Sequence, residues 1–224
     1  MSFFDSYQAA IFDLDGTLID SMPLWENFCN DWLRSHNRIP GESLKEDIFS
    51  MTFSQSADYV NRLYGLNLTR EELISQWEEK MTGLYLAGAQ LRQGVKELLD
   101  ALSLKKIKLG IATYSFTRSC EAVLNHHGVL KYFSSFIYAH EFEFFSEYMA
   151  VKKDPAFWLE AANRLNVKPE KCIVFEDSFF SMEGVRAAGM GIAAVYDASC
   201  SQWPELSRAA DIAVKYPGEA LKYF

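Results

Sequence analysis

In "AAIFDLDGTLID", residues 9 to 20, a short apolar run is set directly against Asp13, Asp15 and Asp20. A buried strand can carry charge only at its end, and carboxylates this close repel one another, so the cluster calls for a cation or a positive side chain beside it. Other polar groups share this setting. Thr113 to Ser115 end "LGIAT", Glu176 and Asp177 end "CIVFED", and Lys152 and Lys153 precede a helical pattern that begins near Asp154. Carboxylate oxygens suit a hard divalent cation, a hydroxyl can donate to an oxyanion, and a lysine offsets negative charge. Together these are the groups needed to bind and transfer a phosphoryl group. Gly16 suits a tight turn in which the backbone leaves room for a ligand.

Groups so far apart in sequence meet only if the elements carrying them share one sheet edge. The apolar runs "AAIFDL" (9–14), "KLGIAT" (108–113), "SFIYA" (135–139), "CIVFED" (172–177) and "GIAAVY" (191–196) are apolar at consecutive positions, as strands covered on both faces require. Helical patterns at 94–102, 117–128 and 154–167 alternate with them, which predicts an α/β chain with an open, Rossmann-like parallel sheet. Ligands of such sheets bind at the carboxyl ends of the strands, where the polar groups above fall. Between about residues 20 and 86 there are helical patterns and no convincing strand, and "TREE" reads as a capping box. The expected division is a catalytic core of 1–19 and 88–224 with a helical cap of 20–87, joined near 21–23 and 87–91.

With 49% hydrophobic residues the chain is expected to fold around a sizeable core. Its net charge of −8, with no long Lys/Arg run, gives no footprint for nucleic acid or an anionic membrane. The cysteines are spread out with no CxxC pair, which argues against a zinc site or disulfide framework. No apolar stretch approaches the ~20 residues that cross a bilayer. These features suggest a cytoplasmic protein acting on a small molecule, with no obligate protein partner inferred.

"FDLDGTL", "IATYS", "KKDP" and "VFEDSFFSMEGVRAAGM" resemble, in order and spacing, the four motifs of the haloacid dehalogenase-like superfamily. The insertion after the first motif is similar to the small helical cap of the subgroup containing phosphoglycolate phosphatase and β-phosphoglucomutase. The resemblance implies a phosphomonoester hydrolase working through an aspartyl-phosphate. Asp13 would be its nucleophile, and Asp15 the general acid and base. Mg²⁺ would be held by the Asp13 and Asp177 carboxylates and the Asp15 main-chain carbonyl, with Glu176 supporting through water. Thr113 would donate to a phosphoryl oxygen, Lys152 would pair with Asp13 and the phosphate, and Tyr114 would lie at the bound substrate. Lys152 is favoured over Lys153 because it stands three residues before Pro155, as in the family's pattern.

Some positions depart from that pattern. Val151 stands where the family often has Gly, and Lys153 where it often has Pro. A phosphotransferase like β-phosphoglucomutase is the alternative, but Trp25 occupies the place of its early-cap His and Phe116 that of a phosphate-gripping Lys. A catalytically silent binding or regulatory relative would have lost a chemical residue, and the core set is intact. Specificity is expected from the cap around Met22, Trp25 and residues 52–55, which has no arginine for a second phosphate. The substrate is therefore expected to be a small monophosphate, such as a sugar or polyol phosphate. The aromatic segment 140–149 is expected to be sheet-end core or an interface, with core favoured.

Overall fold

In the computed structural model, which describes residues 2–142 and 150–224, the chain runs as follows. Strand β1 (Ala9–Phe12) and the two-residue β2 (Ile19–Asp20) lead into helices α1 (Met22–Ser35), α2 (Leu44–Ile48), α3 (Phe53–Tyr64) and α4 (Arg70–Gly88). Next come β3 (Gln90–Leu91), α5 (Val95–Leu104), β4 (Lys108–Thr113), α6 (Thr117–His126) and β5 (Phe133–Tyr138). Last are α7 (Pro155–Arg164), β6 (Cys172–Glu176), α8 (Ser181–Ala187), β7 (Gly191–Val195), α9 (Trp203–Ala209) and β8 (Ile212–Val214).

The main sheet has the order β5-β4-β1-β6-β7-β8, and every pair is parallel. Successive residues of each strand face opposite layers. Ala10 and Phe12 pack with Ile111, Phe175 and Val195, whereas Ala9 and Ile11 pack with Ala112, Val174 and Ile192. Both layers are dry, so the strands are apolar at consecutive positions, and each large buried side chain contributes about 1.5–3 kcal/mol. The chain moves outward from β1 through β4 to β5, then crosses to β6 and outward to β8. That reversal opens a crevice at the carboxyl end of β1, where Asp13 and Asp15 follow.

Helices α1 to α4 fill the interval between β2 and β3, which pair antiparallel through Ile19↔Leu91 and Asp20↔Gln90. The helix starts follow local chemistry. Thr52 and Gln55 form a capping box on α3, Thr69 and Glu72 form one on α4, and Pro23 lies in the first turn of α1. The sequence reading does not find β2, β3, β8 or α2, since two to five residues are too few to show a period. Among the described residues no helix is long and apolar enough to cross a membrane.

Candidate active site

Asp13 follows β1, and its N–H still donates to Phe175 O at 3.0 Å, so the sheet's ladder carries it one residue beyond the strand. Lys152 Nζ reaches it from across the crevice, 2.6 Å from Asp13 Oδ1 and 2.8 Å from Glu176 Oε2. Lys152 is 1% exposed whereas Lys153 is exposed, so it is the former that meets the carboxylates. Tyr114 and Trp158 hold both its main chain and its ammonium. The N–H donates to the Tyr114 hydroxyl at 3.1 Å, Trp158 Nε1 donates to the carbonyl at 2.8 Å, and both rings lie under the ammonium, 5.3 and 5.7 Å from it. A Cβ on Gly184 would stand 2.4 Å from Lys152 O, so only glycine lets α8 back so closely onto this loop. Val151, the departure from the family's Gly, is buried in the apolar layer beneath.

Glu176 Oε1 accepts from Ser178 N and Oγ at 3.1 and 2.6 Å, and Asp177 Oδ1 accepts from Thr17 Oγ1 at 3.0 Å. Asp13, Glu176 and Asp177 each offer an oxygen within 4.8 Å of the others'. Fully ionised, three buried carboxylates facing one ammonium leave two negative charges over. The donor set is all oxygen, as a hard divalent cation prefers, so the residues fit Mg²⁺. Asp20, the third carboxylate of the opening run, is exposed on β2 and lies outside the cluster.

Burial pushes the Asp13 carboxyl up to about 8 against the pull of Lys152, with Glu176 and Asp15 adding to the rise. Burial, then repulsion from Glu176 and Asp13, lifts Asp177 well above the ordinary range. Lys152 stays charged. Burial works against its ammonium, but Asp13 and Glu176 outweigh that and raise its pKa. A raised carboxyl pKa means that the metal-free folded chain holds protons the unfolded chain has already lost. Stability therefore falls as pH rises from about 4 towards 8, and a bound cation reverses the trend by replacing those protons. In melts with and without Mg²⁺, the gain in Tm should be several degrees larger at about pH 8 than at about pH 5. An equal gain at both values would remove this cluster as the ion's site.

Asp15 turns its side chain away from the cluster and towards the inserted helices. Oδ1 accepts from Ser21 Oγ at 2.6 Å, from Trp25 Nε1 at 3.0 Å and from the Tyr85 hydroxyl, while Oδ2 accepts from Ser115 Oγ. Burial and the nearby Asp15 hold the Tyr85 phenol far above its usual range, so it remains a donor. Ser21, Ser115 and Tyr85 escape the sequence reading as partners of Asp15. Tyr85 lies among apolar residues of α4, and nothing there sets it apart from core. Trp25, expected at the cap's substrate face, shares its N–H between Asp15 Oδ1 and the Tyr85 hydroxyl, at 3.0 and 2.9 Å.

Thr113 is fully buried, and its Oγ1 accepts the Ser115 N–H at 2.9 Å, which keeps the hydroxyl proton for another partner. Tyr114 is brought to the site, beside Lys152. Phe116, at the position of the expected phosphate-gripping lysine, stacks on Phe53 of α3 with centroids 4.0 Å apart. Of the aromatic segment 140–149, residues 143–149 lie outside the described residues, and Phe142 packs edge-on against Phe157.

A sequence model of the family "haloacid dehalogenase-like hydrolase" matches residues 7–189. The chain is 27% identical over 216 residues to the phosphorylated carbohydrates phosphatase of Thermotoga maritima, covering 96% of each protein. It is 26% identical over 195 residues to the fructose-1-phosphate phosphatase YqaB of Escherichia coli, covering 84% of this chain and 95% of that one. The crystal structure of CbbY from Rhodobacter sphaeroides in complex with phosphate has the same fold, with a TM-score of 0.76 at 20% identity over 95% of this chain and 96% of that one. The motifs, the sheet order and these matches agree: the chain belongs to the haloacid dehalogenase-like hydrolases, in the subgroup resembling phosphoglycolate phosphatase and β-phosphoglucomutase, and is a phosphatase.

Proposed function

We propose that the protein is a Mg²⁺-dependent phosphomonoester hydrolase acting through an aspartyl-phosphate on a small sugar or polyol phosphate. The observation that carries this reading is the buried contact of Lys152 with both Asp13 and Glu176, beside Asp177. Asp13 attacks phosphorus as the bond to the leaving oxygen breaks, and Asp15 gives its proton to that oxygen. Asp15 then takes a proton from the water that displaces Asp13 from phosphorus. Lys152 and Thr113 stabilise the charge on the equatorial oxygens. The carboxylates of Asp13 and Asp177, the Asp15 carbonyl and, through water, Glu176 would hold Mg²⁺. The ion would offset the negative charge of both nucleophile and phosphate.

Residues 20–87 act as the cap that excludes water and selects the leaving group, while the core recognises only the phosphoryl group. Support for a sugar or polyol comes from the relatives named for phosphorylated carbohydrates and fructose 1-phosphate. Phe116, at the position of the expected phosphate-gripping lysine, is stacked on Phe53 of the insertion and supplies no cation for a second phosphate. A panel of sugar, polyol, bisphosphate and nucleotide esters tests this against wild type and Phe53→Ala. Phe53 is preferred to Trp25, whose loss would also disturb Asp15. Sugar and polyol monophosphates should lead by about tenfold or more in kcat/KM, and the variant should change the rank order. Release of no phosphate from any ester in Mg²⁺ would refute hydrolysis, and an unchanged order would take specificity away from this face.

A further inference from the structure

Arg92 follows β3 at the exit of the helical insertion, and its guanidinium is shared among separate parts of the core. It donates to the Gly16 carbonyl, to Asp197 Oδ2 at 3.0 Å, to the Tyr196 carbonyl, and to the Lys215 carbonyl at 3.3 Å. Asp197 is itself held, its Oδ1 accepting from Ser199 N and Oγ at 2.9 and 2.6 Å. A planar fork of five donors can meet acceptors spread in this way, and a lysine ammonium cannot. The Arg92–Asp197 pair is only 14% and 10% exposed, so the contact is not a loose surface pairing.

The Gly16 carbonyl matters because of what lies on either side of it. Gly16 has φ +79°, and a Cβ there would stand 2.5 Å from Asp177 Oδ2, so its backbone lies directly against that carboxylate. The next residue, Thr17, gives its hydroxyl to Asp177 Oδ1, and the preceding peptide carries the Asp15 carbonyl. Rotation of the 16–17 peptide would move both, and glycine is the residue whose backbone resists rotation least. Arg92 holds that peptide by its carbonyl.

We infer that Arg92 is a positioning residue for the metal end of the site, seating Asp177 and the Asp15 carbonyl through Gly16 and Thr17. This inference rests on the proposed Mg²⁺ reading of the acidic cluster. A purely structural role, tying β3 to the ends of β7 and β8, would lower Tm and leave ion affinity alone. A cavity of about 400 Å³ beside Arg92, Asp197 and Lys215 gives a free guanidinium ion access to the place a truncated side chain would vacate.

Direct Mn²⁺ binding, followed by electron paramagnetic resonance on the full chain, separates these roles. Wild type should bind one ion in the cluster, and Asp177→Asn should lose it. Arg92→Ala should bind about tenfold or more weakly, with guanidinium at a non-denaturing concentration restoring much of the affinity. Arg92→Lys, which keeps the charge and loses the fork, should fall between them and serves if the alanine variant does not fold. Wild-type Mn²⁺ affinity in either folded Arg92 variant would overturn the inference while the metal reading stands. Absence of Asp177-dependent binding in wild type would overturn both.

Discussion

Asp13→Asn should lower kcat by about 10⁴-fold or more while the protein still folds. The amide has nearly the shape of the carboxylate and can still accept from Lys152, but it cannot form the acyl phosphate or balance the ion's charge. Stability should hardly suffer, because burial first and then mutual repulsion raise the Asp13 and Asp177 carboxyls, and the substitution removes one of these costly buried charges. Phosphate release from the best substrate of the panel, together with a thermal melt, measures both quantities. Hydrolysis within about tenfold of wild type by a folded variant would end the role of Asp13 as nucleophile.

Lys152→Met should cost about 10³-fold in kcat, and Lys153→Met almost nothing, although the two side chains are adjacent in sequence. The difference is burial. Lys152 is enclosed with Asp13 and Glu176 at 2.6 and 2.8 Å, whereas Lys153 is exposed. Removing the buried ammonium also leaves two carboxylates without their shared cation, a change that costs about 3–5 kcal/mol when one partner of a buried pair is lost. Urea unfolding should therefore show a destabilised Lys152→Met and a Lys153→Met within about 0.5 kcal/mol of wild type. Lys152→Arg, which restores charge with a bulkier head, should recover more stability than activity. A Lys153 variant that loses activity while Lys152→Met retains it would reverse the assignment.

Strands β1, β4, β6 and β7 were legible because both of their faces are buried, and four or five consecutive apolar residues between polar ends have few other uses. The Asp13 and Asp177 positions were legible for the same reason, since a carboxylate that closes such a run has only the sheet edge to occupy. Capping boxes are local, so "TREE" announced the start of α4 from its own residues. Strands β2 and β3, by contrast, exist because they pair with each other across the whole insertion.

What the chain encodes alone is therefore what depends on near neighbours: the α/β alternation, the helical insertion and the list of groups able to handle a phosphoryl group. Spacing to Pro155 favours Lys152 over Lys153, but only tertiary structure brings its ammonium onto Asp13, across 139 positions of sequence. It decided likewise that Asp15 is held by Tyr85, 70 positions away, and that Arg92 reaches Gly16 and Asp197 across 76 and 105. No periodicity or spacing rule spans such distances. A hydrogen bond acts over about 3 Å, and only the packing of the sheet and the inserted helices brings these partners within its reach.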